Sequence, residues 1–393
     1  MKFDRLLKDK LLYLATKYPI VTVTGPRQSG KTTLCRECFP EKTYVNLETP
    51  DTRDFASSDP RGFLNRIKDG AVIDEVQRVP ELVSYIQVFV DEQKTNGKFI
   101  LTGSEQLSIR SNVSQSLAGR TALLRLLPLS LQEIATQIAL RSADSLMFQG
   151  GYPRLYDQEM DPVDLYRDYI ETYLQRDVRQ LINIKHLSLF QKFIQLCAGR
   201  IGQLVNLTSL GSDVGVSHTT VREWLSILEA SYVLFLLPPY FSSISKRLIK
   251  SPKLYFYDLG VATHLLRLRT IDDLATHPLR GNLFENLVVS EIRKAFYNKG
   301  LTEDIYFYRD SSGLEVDLLV GTGSGKYQAI EIKAGETINS SFFGNLCKLA
   351  ELLPAHIEKN TLIFGGEENY EREGINVMSW RELAQGSKFI SVG

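Results

Sequence analysis

Between residues 19 and 127, short β-branched and apolar runs alternate with stretches whose apolar positions recur every three or four residues. The runs 20–24, 43–47, 71–73, 99–102 and 122–126 have the length and composition of buried strands. Between them Leu82, Ile86, Phe89 and Val90 mark one helix face. This alternation predicts an α/β core over residues 1–130, with a parallel sheet covered by helices on both faces. From 131 to 200 the strand signals cease and helical spacing dominates, broken at Gly150-Gly151-Tyr152-Pro153. Residues 201–251 give an apolar helix, a Gly-Val-Ser turn at 215–217, a second helix over 219–230 and a β run at 232–237, the order of a winged helix-turn-helix. After Pro252 a strand at 254–257 and helices lead to β runs at 305–308, 315–320 and 327–332 and a helix–strand pair over 340–364. These predict a separate α/β domain over 252–393.

Composition narrows the class. At 393 residues the chain exceeds one ordinary core, and with 43% hydrophobic and 23% charged residues it reads as globular throughout. Lys and Arg balance Asp and Glu at 46 each, so nucleic-acid binding has to come from local patches and not from the whole field. Four cysteines are too few for a disulfide framework, and the pair Cys35 and Cys38 lacks the second pair that a zinc site needs. The first ten residues lack the apolar core of a signal peptide, and no apolar run approaches about 18 residues, so the expectation is a cytoplasmic protein with no membrane contact.

The chemistry begins at residues 25–32, Gly-Pro-Arg-Gln-Ser-Gly-Lys-Thr, which follow a strand pattern and open a helix pattern. Gly25 and Gly30 let the backbone curl its N–H groups around phosphates, Lys31 reaches the outer phosphates, and Thr32, followed by Thr33, offers a hydroxyl to Mg²⁺. The strand at 71–73 ends in Asp74-Glu75: Asp74 is placed to hold Mg²⁺ and Glu75 to activate water. The predicted cofactors are ATP and Mg²⁺. One strand between the P-loop and this acidic pair, with Glu beside Asp, resembles the AAA-type ATPases. That resemblance makes Thr102 or Ser104, at the end of the next strand, a sensor of the γ-phosphate. It also makes Arg120, in Leu-Ala-Gly-Arg, an arginine contributed between subunits of a homo-oligomer; a cis or surface role is the alternative.

In the middle region, the second helix of the helix-turn-helix would present Ser217, His218, Thr220 and Arg222. Lys246, Arg247, Lys250 and Lys253 follow the wing with no acid among them, a set able to contact DNA phosphates. A scaffold packed on the ATPase is the other reading of the same fold.

Toward the C-terminus, Glu285 stands on a helical run, Asp317 on the strand at 315–320, and Glu331-Ile332-Lys333 closes the strand begun at Tyr327. Period-two alternation puts Glu331 and Lys333 on one face, and pairing of the two strands would bring Asp317 beside Glu331. Carboxylates so placed suit a divalent ion, with Glu285, Asp317 and Glu331 as ligands, Mg²⁺ or Mn²⁺ as the metal, and Lys333 positioning water or stabilising charge. Asp followed about fourteen residues later by Glu-x-Lys resembles the PD-(D/E)xK nucleases, whose restriction-endonuclease-like fold is thereby implied. Val316 stands where that pattern has proline.

End to end, the chain resembles a prokaryotic family of AAA-type ATPases fused to a C-terminal nuclease-like domain. Two functions follow from the resemblance. One is a DNA-directed ATPase that gates a metal-dependent nuclease. The other is an ATP-switched DNA- or protein-binding module with a non-catalytic nuclease fold.

Overall fold

The computed structural model describes residues 3–104, 117–173, 187–240 and 250–389. The N-terminal sheet contains β1 (Ile20–Thr24), β2 (Thr43–Asn46), β3 (Ala71–Asp74), β4 (Phe99–Gly103) and β5 (Thr121–Arg125), in the order β2-β3-β4-β1-β5. Its pairings are all parallel. Successive strand residues serve opposite cores: Ile20, Ala71, Ile73, Phe99 and Leu101 join one apolar cluster, while Val21, Val23, Val72 and Ile100 join the other. Helix α1 (Lys8–Ala15) buries Leu11 in the second cluster, beside Leu34 of α2 (Lys31–Cys38). The expected two-faced parallel sheet is therefore present. Because the strands run one way, Thr24, Asp74 and Gly103 gather at one edge, where the following loops build the site.

In the middle region the helix Leu207–Val214 ends at Gly215, whose φ of 95° lies in the left-handed region. The Ser217 hydroxyl then accepts from Thr220 N at 3.1 Å and starts the helix His218–Ala230. This helix buries Trp224 against Phe190 and Phe193. After it, β6 (Leu234–Leu237) pairs antiparallel with β7 (Lys253–Phe256).

That pairing moves a boundary. The strand at 254–257 was expected to open the C-terminal domain, whereas β7 belongs with β6. Pro252 does not separate them, because a proline at a strand edge still accepts through its carbonyl: Val205 N donates to Pro252 O at 2.8 Å. One apolar cluster also runs without a break from Leu129 and Tyr152 through Trp224 and Tyr255 to Phe284 and Trp380. The segments 131–200, 201–251 and 252–393 thus share a core.

The second sheet contains β8 (Ile305–Arg309), β9 (Glu315–Gly323), β10 (Lys326–Lys333), β11 (Ile357–Phe364), β12 (Tyr370–Arg372) and β13 (Ile375–Ser379), in the order β12-β13-β11-β10-β9-β8. The long helix Arg280–Asn298 lies on the shared-core side, and Leu346 and Leu349 cover the other face. The β12–β13 hairpin has no counterpart in the sequence reading, since all of β12 is exposed and carries no apolar alternation. Among the described residues no helix is long and apolar enough to cross a membrane.

Candidate active site

The loop between β1 and α2 is shaped by close contacts. A Cβ on Gly25 would lie 2.0 Å from Leu126 O, so only glycine fits there, and Gly30 precedes α2 at φ 92°. Lys31 Nζ donates to Gly25 O at 3.0 Å and Pro26 O at 2.8 Å. Burial lowers the pKa of this ammonium, against the opposing pull of Glu75 and Asp74. Ser29 Oγ is buried with no hydrogen-bond partner. Arg5 braces the loop from outside: Nη1 donates to Ser29 O at 2.6 Å, Nη2 to Leu127 O at 2.6 Å, and Nε to Glu133 Oε1 at 2.9 Å.

Asp74, at the end of β3, collects hydroxyls. Thr32 Oγ1 and Tyr44 OH each donate to Oδ2 at 2.8 Å, and Thr102 donates to Oδ1. Glu75 follows with φ 57°, a left-handed conformation uncommon for a side-chain-bearing residue and concentrated at functional positions. Its Oε2 accepts from Ser104 Oγ at 3.1 Å and from Gln77 Nε2. Thr33 lines an adjoining cavity of 440 Å³ with Arg36 and Tyr44. The residues fit a magnesium nucleotide: an orphaned buried hydroxyl in the phosphate loop, a buried lysine, and a threonine hydroxyl touching a carboxylate. Lys31 would meet the outer phosphates, and Thr32 and Asp74 would hold the ion. Tyr44, Gln77 and Arg5 escaped sequence reasoning because each belongs to no motif and joins the site only through folding.

Arg120 is placed elsewhere. Its carbonyl accepts from Ile20 N at 3.2 Å, at the start of β1 and thus the opposite sheet edge from Gly25. Five residues of strand separate these edges, roughly 16 Å. The guanidinium pairs with Asp91, Nε to Oδ1 at 2.6 Å, on the surface. Within this chain Arg120 therefore sits at the sheet edge opposite its own phosphate loop, with its guanidinium held by Asp91.

The C-terminal residues do meet, with an unexpected companion. In register, Leu318 pairs with Ile330, so Asp317 and Glu331 follow side by side, and Asp317 Oδ2 accepts from Ile332 N at 2.8 Å. Lys333 Nζ pairs with Glu331 Oε1 at 2.7 Å. Into this group comes Lys253, 2% exposed, whose Nζ lies 2.9 Å from Glu285 Oε1, 2.7 Å from Glu315 Oε1 and 3.9 Å from Asp317 Oδ1. Tyr255 also donates to Glu285. The expectation that Lys253 is a surface cation for DNA phosphates is therefore corrected: pairing of β7 with β6 turns it inward. Lys250 is exposed, and Lys246 and Arg247 lie outside the described residues.

Burial, then the charge of Asp317, pushes the Glu285 carboxyl up to about 7 and the Glu331 carboxyl up to about 8, against the nearby lysines. Burial works against the charge of Lys253, yet Glu285, Asp317 and Glu315 outweigh it and raise its pKa. Among the described residues no three His, Cys, Asp or Glu side chains are grouped so as to hold a metal ion. As arranged, the acidic cluster does not fit the divalent ion expected at Glu285, Asp317 and Glu331, because a lysine already balances it.

The ATPase core and the middle region are directly joined. Thr24 Oγ1 and Tyr232 OH lie 2.7 Å apart, and beyond the ATPase core Tyr173 OH of the 131–200 segment donates to Ser231 O at 3.2 Å. At the start of the second helix, Ser217, His218, Thr219 and Arg222 are exposed.

Residues 17–135 match the model of an AAA domain, in accord with the sheet order and the P-loop, so this part is an AAA-type P-loop ATPase domain. Residues 140–272 and 280–383 match two domains of unknown function, DUF8612 and DUF4143. Uncharacterized proteins Rv2008c of Mycobacterium tuberculosis and Mb2031c of Mycobacterium bovis are each 31% identical over 361 residues, covering 90% of this chain and 78% of theirs. An uncharacterized protein of Haemophilus influenzae is 22% identical over 71% of this chain and 75% of its own. Among solved structures, the Walker-type ATPase PABY2304 of Pyrococcus abyssi covers 68% of this chain and 96% of its own, at 14% identity and a TM-score of 0.46. AMPPCP-bound DnaA from Aquifex aeolicus covers 57% of this chain and 86% of its own, at 14% identity and a TM-score of 0.30.

Proposed function

This chain belongs to the same family as Rv2008c of Mycobacterium tuberculosis, and we propose that it is an ATP-hydrolysing switch whose nucleotide state sets the posture of a helix-turn-helix module. The observation that carries the reading is Asp74, which holds Thr32 of the phosphate loop and Thr102 of β4 through its two oxygens. Magnesium, when bound, supplies charge for the phosphates. Thr32 and Asp74 would hold it, and Lys31 would offset charge on the outer phosphates. Glu75, poised by Ser104 and Gln77, takes the proton of the attacking water. Thr102 shares Asp74 with Thr32, so displacement of either reaches the end of β4.

From there the signal has a physical path. Thr24 precedes Gly25 and shares its hydroxyl with Tyr232, which follows the Ser231 cap of the helix His218–Ala230. That helix with its turn and the β6–β7 pair forms the winged helix-turn-helix of the proposal, and its exposed His218, Thr219 and Arg222 are the contact face. DNA is the partner this fold suggests first, with a protein partner as the alternative. Stopped-flow ATP turnover with and without duplex DNA tests the reading. No turnover under any condition removes it, and turnover indifferent to DNA assigns the face to protein.

A second reading, metal-dependent nucleic-acid cleavage by a nuclease-like C-terminal fold, is favoured by Glu331 Oε2, which is buried without a hydrogen-bond partner and shares a strand face with Lys333. It requires Lys253 to leave the carboxylates. Incubation of single- and double-stranded DNA and RNA with Mg²⁺ or Mn²⁺, with and without ATP, tests it directly.

A further inference from the structure

The C-terminal carboxylates come from three elements: Glu285 from the long helix Arg280–Asn298, Glu315 and Asp317 from β9, and Glu331 from β10. Such a group left without cations would carry a large desolvation cost. Lys333 and Arg309 of the same sheet supply part of the charge that relieves it, and the cation beside Glu285 and Asp317 arrives from outside the sheet, on β7 of the helix-turn-helix module. We propose that Lys253 is the resident cation of this cluster, standing where a divalent ion would otherwise balance Glu285 and Asp317, and that it closes the site to metal.

Three observations support this. The ammonium lies between carboxylates of two elements, 2.9 Å from Glu285 and 2.7 Å from Glu315, with Asp317 at 3.9 Å. It also stands 5.5 Å from the centre of the Phe307 ring, so the pocket receives a monovalent organic cation on its apolar side as well. The backbone cannot easily withdraw it: Lys253 pairs with Leu237 of β6 on one side and bridges to Leu204 on the other. Three further oxygens are occupied too, while Glu331 Oε2 is buried without a hydrogen-bond partner. Asp317 Oδ2 accepts from Ile332 N, Glu331 Oε1 pairs with Lys333, and Glu315 Oε2 pairs with Arg309 Nη1 at 2.8 Å.

The inference is independent of the ATP switch, since neither Lys253 nor its partners belong to the phosphate site. It favours a structural latch over cleavage: the wing strand and the nuclease-like sheet are held together by the charges a nuclease would give to its metal.

Isothermal titration with Mn²⁺ tests it on the full chain without nucleotide. An Asp74→Asn parent removes the P-loop carboxylate, so any strong site reads the C-terminal cluster. The parent is expected to bind no Mn²⁺ up to millimolar concentration. Lys253→Met in that parent gains one Mn²⁺ site, which Asp317→Asn abolishes, while Lys253→Arg gains none. Thermal melts supply the second readout, because Lys253→Met should melt several degrees lower and recover part of the loss when Mn²⁺ is added. A parent that binds one Mn²⁺ at a site removed by Asp317→Asn overturns the proposal. A folded Lys253→Met that gains no site overturns it equally. If Lys253→Met does not fold alone, recovery of the fold by Mn²⁺ supports the proposal and failure to recover it counts against it.

Discussion

Thr24 and Tyr232, 208 residues apart, meet through their hydroxyls at 2.7 Å. The first precedes the phosphate loop and the second leaves the helix-turn-helix with a left-handed φ of 57°. A tyrosine with its side chain committed to a distant strand and its backbone in an uncommon region is fixed from both ends. In the proposed switch, a shift of Thr24 with the phosphate loop would reach the end of the helix His218–Ala230 through this contact.

Tyr232→Phe removes the hydroxyl and little else. Thr24 Oγ1 still donates to Leu124 O at 3.2 Å, so the expected stability loss is small, about 0.5–1.5 kcal/mol. ATP affinity should hold while the effect of ATP on proteolysis of the helix-turn-helix region disappears. Nucleotide-dependent proteolysis unchanged in the variant would remove this contact from the path.

At the phosphate site, Lys31→Ala should weaken ATP binding by about a hundredfold, since it removes a charge-assisted contact. Glu75→Gln should bind ATP normally and turn over about 10²–10⁴-fold more slowly, because the amide keeps shape and loses basicity. Fluorescent-nucleotide titration and phosphate release separate the two. Wild-type turnover in Glu75→Gln would show that another group activates the water.

Arg120 lies at the far sheet edge from its own phosphates, so we expect it to act only across subunits. Specific ATPase activity should rise with protein concentration, and Arg120→Ala should lower it by about 10³–10⁵-fold. Mixing Arg120→Ala chains with Glu75→Gln chains should restore turnover at interfaces that combine the intact halves. Concentration-independent rates with no rescue would leave Arg120 as the surface partner of Asp91.

What the sequence disclosed and what it withheld divide along contact range. Gly25 to Thr32, Asp74 and Glu75 are legible because the chemistry needs fixed spacings along a short stretch, and Asp317, Glu331 and Lys333 because strand alternation predicts a shared face. Arg5, Tyr44 and Tyr232 carry no such signature. Arg5 reaches Glu133 across 128 residues, and Tyr232 is placed by the cap of a helix packed elsewhere. Lys253 misled because its neighbours in sequence are basic, whereas the antiparallel partner of its strand decides which way it faces. A lysine in a basic run reads as solvated until the opposing strand is known.

The last prediction concerns pH. Burial and Asp317 lift the Glu331 carboxyl from its ordinary 4.5 to about 8 in the folded chain. The folded state therefore holds that proton more tightly than the unfolded state does. The stability this lends is complete below pH 4.5 and is lost as pH rises through about 8, where the folded carboxyl must finally ionise. Glu331→Gln keeps the shape and abolishes the titration. The stability of the variant relative to wild type should then improve between about pH 5 and about pH 8.5, by up to about 4 kcal/mol. The attraction of Lys333 for the ionised carboxylate acts only at the high-pH end and is already contained in the Glu331 pKa, so it adds no separate slope. Urea melts at the two pH values give the difference directly. A relative stability that stays flat, or moves in favour of wild type as pH rises, would mean that Glu331 is already ionised in the fold and that Lys333 outweighs burial and Asp317 combined.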